Sequence, residues 1–146
     1  MNVAITRKIE FDAGHRIPDH KSKCRNAHGH RYTLEATVTG VIRSGAGASD
    51  AGMVTDFGDL KDIMMTQVGE PWDHAFLVYI KDDAMRLALD NLGGSHKTVV
   101  LPCIPTVENL VILAGTLIAR ALGQGLMLTR VRLYETPNCW ADWVPE

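Results

Sequence analysis

Between Val3 and His15 the odd positions carry Val3, Ile5, Ile9, Phe11, Ala13 and His15, interrupted only by Arg7, while the even positions are mostly small or polar. A period of two predicts a half-buried β-strand. From His28 to Gly40 the same period places His28, His30, Tyr32, Leu34, Ala36 and Val38 on one face and Arg31, Thr33, Glu35, Thr37 and Thr39 on the other. This second strand is expected to pair antiparallel with the first. The intervening segment from Arg16 to Ala27 is a polar loop, and Arg43 to Gly52, rich in Gly, Ala and Ser, reads as a flexible hairpin loop.

After Thr55 the period becomes helical, with Phe57, Leu60, Ile63, Met64 and Val68 on one stripe and Thr55 or Asp56 able to cap the start. A shorter helix is expected from Asp83 to Asn91, stopped by Gly93 and Gly94, before a β-like run from Thr98 to Leu101. The clearest helix follows the N-cap Thr106, with Leu110, Leu113, Ala114, Leu117, Ile118, Ala121 and Leu122 as its apolar stripe and Gly123 at its end. Strands over Leu128–Thr136 and around Trp140–Val144 close the chain.

This order predicts a single α+β domain over residues 1–146, with helices on one face of an antiparallel sheet rather than a βαβ array. Gly-rich nucleotide loops of the GxGxxG and GxxxxGK[ST] types are absent. Composition adds exclusions. Fifteen Lys and Arg against seventeen Asp and Glu leave no positive excess to drive nucleic-acid binding. No apolar stretch reaches the length of a membrane span, and Arg7, Lys8 and Glu10 fall where a signal peptide would need its apolar core, so a soluble cytoplasmic protein is expected. Cys24, Cys103 and Cys139 are odd in number and scattered, unlike a disulfide framework; Cys103 and Cys139 read as packing residues.

The candidate chemistry gathers around the H-x-H unit. His28 and His30 point to one side of their strand, with Gly29 between them permitting close approach. Antiparallel pairing brings His15, at the end of the first strand, beside them. Three neutral imidazoles suit a catalytic Zn2+, leaving a fourth position for water or substrate. A lone histidine at a sheet edge is more often an ordinary hydrogen-bonded one; the H-x-H pair with a third on the neighbouring strand reverses that balance. Cys24, four residues before His28, is either a nucleophile or base near the cation or the fourth ligand of a closed structural site, and spacing does not separate the two.

Asp73-His74 is a carboxylate–imidazole pair of the acid–base kind, although such a dipeptide taken alone is more often surface decoration. Glu135 continues the apolar face of Val131 and Leu133. It needs an Arg or the N–H donors of a ligand if buried, and nothing if it simply reaches solvent; the two readings stand level. Glu108 is more readily a favourable first-turn acid than a ligand group.

Phe11-Asp12-Ala13-Gly14-His15-Arg16, Cys24-x-x-x-His28-Gly29-His30, Asp56-Phe57-x-x-Leu60-Lys61, Asp73-His74, Pro105-Thr106-x-Glu108-Asn109 and Val131-x-Leu133-x-Glu135-Thr136 occur in this order over nearly the whole chain. Together they resemble the 6-pyruvoyl tetrahydropterin synthase and 6-carboxytetrahydropterin synthase family. The three-residue gap after Cys24 resembles that of the bacterial 6-carboxytetrahydropterin synthases of the queuosine pathway.

The resemblance implies the tunnelling fold (T-fold): an antiparallel four-stranded sheet with two main helices on one face, trimerising into a β-barrel and stacking as a homohexamer. It also implies that His15, His28 and His30 hold Zn2+, that Cys24, Asp73 and His74 are catalytic, and that Glu135, Thr106 and Glu108 bind a pterin triphosphate substrate. The activity implied is a lyase acting on 7,8-dihydroneopterin triphosphate. In the 6-carboxy branch it releases acetaldehyde and triphosphate; in the 6-pyruvoyl branch it eliminates triphosphate only. A non-catalytic zinc- or pterin-binding protein of the same fold is the remaining reading.

Overall fold

A computed structural model describes residues 1–145. The two alternating runs form β1 (Asn2–His15) and β2 (His28–Val41), paired antiparallel along their full length. Their register sets Ile9 against Leu34, Phe11 against Tyr32 and His15 against His28, so one face is apolar and ends in imidazoles. β2 pairs on its far side with β5 (Leu126–Thr136), and β5 with β6 (Cys139–Trp143), both antiparallel.

The opposite edge departs from the expected four-stranded antiparallel sheet. There β3 (Ala75–Tyr79) runs parallel to β1 beside Ala13–His15, and β4 (Thr98–Leu101) runs parallel to β3. The sheet is therefore mixed and six-stranded, in the order β4-β3-β1-β2-β5-β6. The physical reason lies in the run from Ala75 to Val78: Ala75, Leu77 and Val78 are all buried, which suits a parallel strand covered on both faces. Parallel neighbours need a crossover, supplied here by α3 (Asp83–Asp90), so one βαβ unit is present against expectation.

The segment Arg43–Gly52 also differs from the reading as a hairpin. It joins β2 to a helix, closed at its base by Arg43 N–H donating to the Met53 carbonyl at 2.8 Å and Gly52 N–H to the Arg43 carbonyl at 2.9 Å.

Helix α1 (Phe57–Met64) starts at Asp56, whose side chain accepts from Gly58 N–H at 2.6 Å. It continues through a wide π turn (Met65–Gly69) into the short α2 (Glu70–Trp72), where Pro71 has no N–H to extend the ladder. Leu60, Met64 and Val68 reach the core, but Phe57 stays half exposed. Helical side chains lean toward the N-terminus, so the first residue overhangs the packed face. Helix α4 (Val107–Ala121) is capped by Thr106, whose hydroxyl accepts from Asn109 N–H at 3.3 Å.

The core joins Ile9, Phe11, Tyr32, Leu34, Val131 and Leu133 from one sheet face to Leu60, Met64, Trp72, Leu110, Val111 and Ile118 from the helices. Helix α4 is fastened to β6 at Gly115, where an added Cβ would meet the Trp143 ring at 2.5 Å. All three cysteines are free. Cys103 is half-buried, which pushes its thiol up, whereas Cys139 is exposed and does not pack as expected because it opens the edge strand β6. Among the described residues no helix is long and apolar enough to cross a membrane.

Candidate metal centre and its surroundings

The antiparallel register brings His15 and His28 opposite one another, with His30 on the same face of β2. One ligand atom from each of these three imidazoles lies within 4.8 Å of the others. His15 is buried, and His28 and His30 are partly so.

Two carbonyls set the ring tautomers. His15 Nδ1 lies 2.7 Å from the Pro105 carbonyl oxygen and His28 Nδ1 lies 2.7 Å from that of Asn26. A carbonyl can only accept, so both Nδ1 atoms carry the proton and both Nε2 atoms present lone pairs. Those Nε2 atoms face each other at 3.2 Å. His30 Nε2 is buried and has no hydrogen-bond partner. Burial and the two neighbouring imidazoles push His15 down to about 4, with the Pro105 hydrogen bond opposing them, so its ring is neutral at pH 7. Burial also lowers His30. Ring nitrogens converging from three imidazoles, one of them buried without a hydrogen-bond partner, fit a cation ligated by three nitrogens.

Behind the cluster stands Tyr32, buried beneath His15 with its hydroxyl 3.4 Å from His15 Nδ1 and its phenol pushed far up by desolvation. It continues the alternation of His28 and His30, a signal that was present in the chain. No comparable signal marked the Pro105 or Asn26 carbonyls.

Glu135 comes to the same place. Its Oε1 lies 3.4 Å from His15 Nε2 and 3.7 Å from His30 Nε2. The β5–β6 register shifts between Tyr134 and Thr136, a bulge-type irregularity that re-aims the residue between them. Glu135 and His30 also border an open cleft of about 590 Å³, with Lys8, Arg31 and Tyr134.

The remaining candidates are not drawn into the cluster. Cys24 sits in a 3-10 turn (Lys23–Arg25), with its carbonyl accepting from Ile17 N–H at 2.9 Å, and the close-packed ligand atoms do not include its sulfur. Thr106 and Glu108 open α4 immediately after Pro105, but the Thr106 hydroxyl is engaged in capping and Glu108 is exposed.

Asp73 and His74 form a pair clamped to the edge of β1. Asp73 Oδ1 accepts from Asp12 N–H at 2.9 Å, His74 N–H donates to the Asp12 carbonyl at 2.6 Å, and His74 Nδ1 donates to Asp73 Oδ2 at 2.7 Å. Those donors hold the Asp73 carboxyl below its usual range, the Asp12 N–H foremost. His74 takes a φ of 58°, and its side chain is 77% exposed. Lys97 secures the turn, its Nζ donating to the Glu70 and Asp73 carbonyls at 2.6 Å each.

Arg16, next to His15, is tied to Asp82 through two hydrogen bonds, the one from Nε at 2.7 Å. Asp82 also caps α3, accepting from Met85 N–H. The crossover helix is thus anchored to the end of the strand that carries His15, a link that sequence reading missed.

The 6-pyruvoyl tetrahydropterin synthase family matches residues 4–146 of the chain. A 6-carboxy-5,6,7,8-tetrahydropterin synthase of Rickettsia felis is 38% identical over 143 residues, covering 96% of this chain and 99% of that protein. The enzyme of the same name from Haemophilus influenzae is 30% identical over 142 residues, covering 95% and 96%. Among solved structures, an uncharacterized protein of Wolinella succinogenes superposes with a TM-score of 0.78 at 21% identity, covering 100% of this chain and 99% of that one. The 6-pyruvoyl tetrahydropterin synthase of Caenorhabditis elegans superposes with a TM-score of 0.68 at 23% identity, covering 100% and 97%.

Proposed function

The chain belongs to the 6-pyruvoyl tetrahydropterin synthase family, and from that premise we propose that it is a zinc-dependent lyase. The reaction proposed converts 7,8-dihydroneopterin triphosphate and water to 6-carboxy-5,6,7,8-tetrahydropterin, acetaldehyde and triphosphate, the step that serves queuosine and 7-deazapurine biosynthesis. The 6-carboxy branch is preferred because relatives of that name match at up to 38% identity over nearly the full chain. The observation that carries the reading is the inward-turned imidazole cluster, with its buried and unpartnered His30 Nε2.

His15, His28 and His30 would hold zinc through Nε2. When bound, the metal supplies Lewis-acid polarisation of the substrate's vicinal side-chain hydroxyls, which acidifies the neighbouring C–H. Cys24 is assigned as the base that takes that proton; its position outside the ligand cluster favours this role over a closed four-ligand site. Asp73 accepts from His74 Nδ1 and thereby leaves Nε2 as the atom that exchanges protons with the substrate. Because His74 points into solvent here, it is assigned to the site of a second copy, in a homohexamer built from trimers. Glu135, with Thr106 and Glu108 nearby in the assembly, is assigned to the pterin ring, whose amino group and ring N–H match the two carboxylate oxygens.

The test is incubation of zinc-loaded protein with 7,8-dihydroneopterin triphosphate, scoring triphosphate and acetaldehyde by mass spectrometry beside a Cys24→Ala control. Both products, missing from the control, are expected. Triphosphate without acetaldehyde moves the protein to the pyruvoyl branch, and neither product removes the enzymatic reading for this substrate.

A further inference from the structure

Helix α2 ends with one of its backbone bonds diverted. In a continuing helix each N–H closes on the carbonyl four residues back, and Asp73 N–H still does so, reaching the Gly69 carbonyl at 2.8 Å. The next amide does not. Asp73 turns extended, with ψ 129°, and delivers His74 N–H to the Asp12 carbonyl of β1 at 2.6 Å. The Glu70 carbonyl thereby loses the amide that would have closed on it, and the Asp73 carbonyl lies past the last helical turn.

Lys97 supplies what the backbone withholds. Its Nζ donates to the Glu70 and Asp73 carbonyls at 2.6 Å each. An ammonium carries three donors and no acceptor, so one side chain serves both carbonyls, which a single hydroxyl donor could not. Lys97 is itself held in place: its own carbonyl accepts from Phe76 N–H at 3.0 Å, and Thr98 after it pairs with Phe76 in the β3–β4 register. It therefore brackets the turn, with its main chain on Phe76 and its side chain on Glu70 and Asp73. The ammonium also helps to keep the Asp73 carboxyl charged, after the Asp12 N–H and the His74 ring.

The diverted amide belongs to the residue whose ring matters. His74 sits at φ 58°, a conformation that persists only where its surroundings impose it. Its ring direction follows from Asp73, whose carboxylate spans Asp12 N–H at 2.9 Å and His74 Nδ1 at 2.7 Å. Without the ammonium two helix-end carbonyls lose their donor, and the nearest replacement in the chain is the His74 amide itself. Returning it to Glu70 would break its bond to Asp12 and turn the imidazole away.

We propose that Lys97 is a positioning residue for His74: by occupying the Glu70 and Asp73 carbonyls it keeps the His74 amide on Asp12 and so fixes where the imidazole points. The proposal rests on the proton-relay role of His74 in the lyase reading and deepens it, giving the β3–β4 crossover a part in the reaction.

The experiment compares the zinc-loaded full-length protein with Lys97→Met, which keeps the stem without the donors, and with Lys97→Arg, which restores two or more donors. Hydrogen–deuterium exchange at the His74 amide is read by residue-resolved mass spectrometry, beside kcat, KM and zinc content. Lys97→Met is expected to speed that exchange by about tenfold or more, and to lower kcat by about tenfold or more with KM and zinc content unchanged. Lys97→Arg is expected to recover part of both losses. In a His74→Ala background Lys97→Met should lower kcat no further, because its effect passes through the ring. Unchanged exchange at His74 overturns the proposal, and so does unchanged kcat or an equal further loss of kcat in the His74→Ala background. If the unsubstituted protein yields neither triphosphate nor acetaldehyde, the lyase reading fails by itself, and the hold of Lys97 on the His74 amide is still decided by the exchange rates.

Discussion

The imidazole of His15 donates through Nδ1 to the carbonyl of Pro105, 2.7 Å away, and so joins the end of β1 to the residue that precedes α4. One side chain therefore has two tasks: it presents Nε2 to the metal position and satisfies a buried carbonyl. His28 has only the first burden in the interior, since its own carbonyl partner, Asn26, lies on the exposed loop. Replacing either by Ala is expected to reduce zinc affinity by at least about 100-fold, the upper end of what even outer ligand partners cost. The two should differ in the metal-free protein. His15→Ala leaves the Pro105 carbonyl unpaired and is expected to lower stability by about 1–3 kcal/mol beyond His28→Ala. Equal urea midpoints for the two metal-free variants would sink the argument.

Cys24 is expected to separate metal binding from turnover. Its sulfur is not among the close-packed ligand atoms, so Cys24→Ala should retain one zinc per chain by elemental analysis. As the assigned base, its loss should lower kcat by about 10²–10⁴-fold. Loss of zinc together with loss of stability would instead identify a closed structural site.

Much of this site was legible because β1 and β2 obey a strict alternation. Once the two strands pair, His15, His28 and His30 have no face but the core side on which to meet. The parallel edge was not legible in the same way. Ala75–Tyr79 is a short apolar run with no period to read, and its place beside β1 is set by the bonds of residues 73 and 74 to Asp12. The approach of Glu135 to the imidazoles was half legible: alternation put it on the apolar face, but its partner depended on a register irregularity between β5 and β6 that no local pattern announces.

The Arg16–Asp82 pair should give the acid limb of stability a specific contributor. Hydrogen bonding to Arg16 is the main cause that holds the Asp82 carboxyl below its usual range, in a side chain only 4% exposed. A depressed folded value means that the unfolded chain binds the proton first. The contribution is therefore complete above an unfolded value of about 3.9 and is lost as pH falls through the lower folded value. Asp82→Asn should cost about 1.5–3 kcal/mol near pH 7, with the gap to the unsubstituted protein narrowing below about pH 4. Urea unfolding from pH 7 to 2.5 checks this, and a gap that stays constant over the whole range refutes it.

His74 holds a left-handed backbone, φ 58°, which costs a residue with a Cβ of order 1–2 kcal/mol that glycine does not pay. The strain is imposed from both sides, by His74 N–H bonded to the Asp12 carbonyl and by the ring bonded to Asp73. If that geometry exists to project an imidazole toward a neighbouring active site, removing the ring should abolish the relay whatever replaces it, while stability should follow the backbone. His74→Ala and His74→Gly are both expected to lose turnover by about 10²-fold or more. The glycine variant, relieved of the Cβ, should be the more stable of the two by about 1 kcal/mol, partly offset by the greater freedom of its unfolded chain. Thermal unfolding beside steady-state assays decides the matter: an alanine variant as stable as the glycine one would remove the strain, and an active variant of either kind would remove the relay.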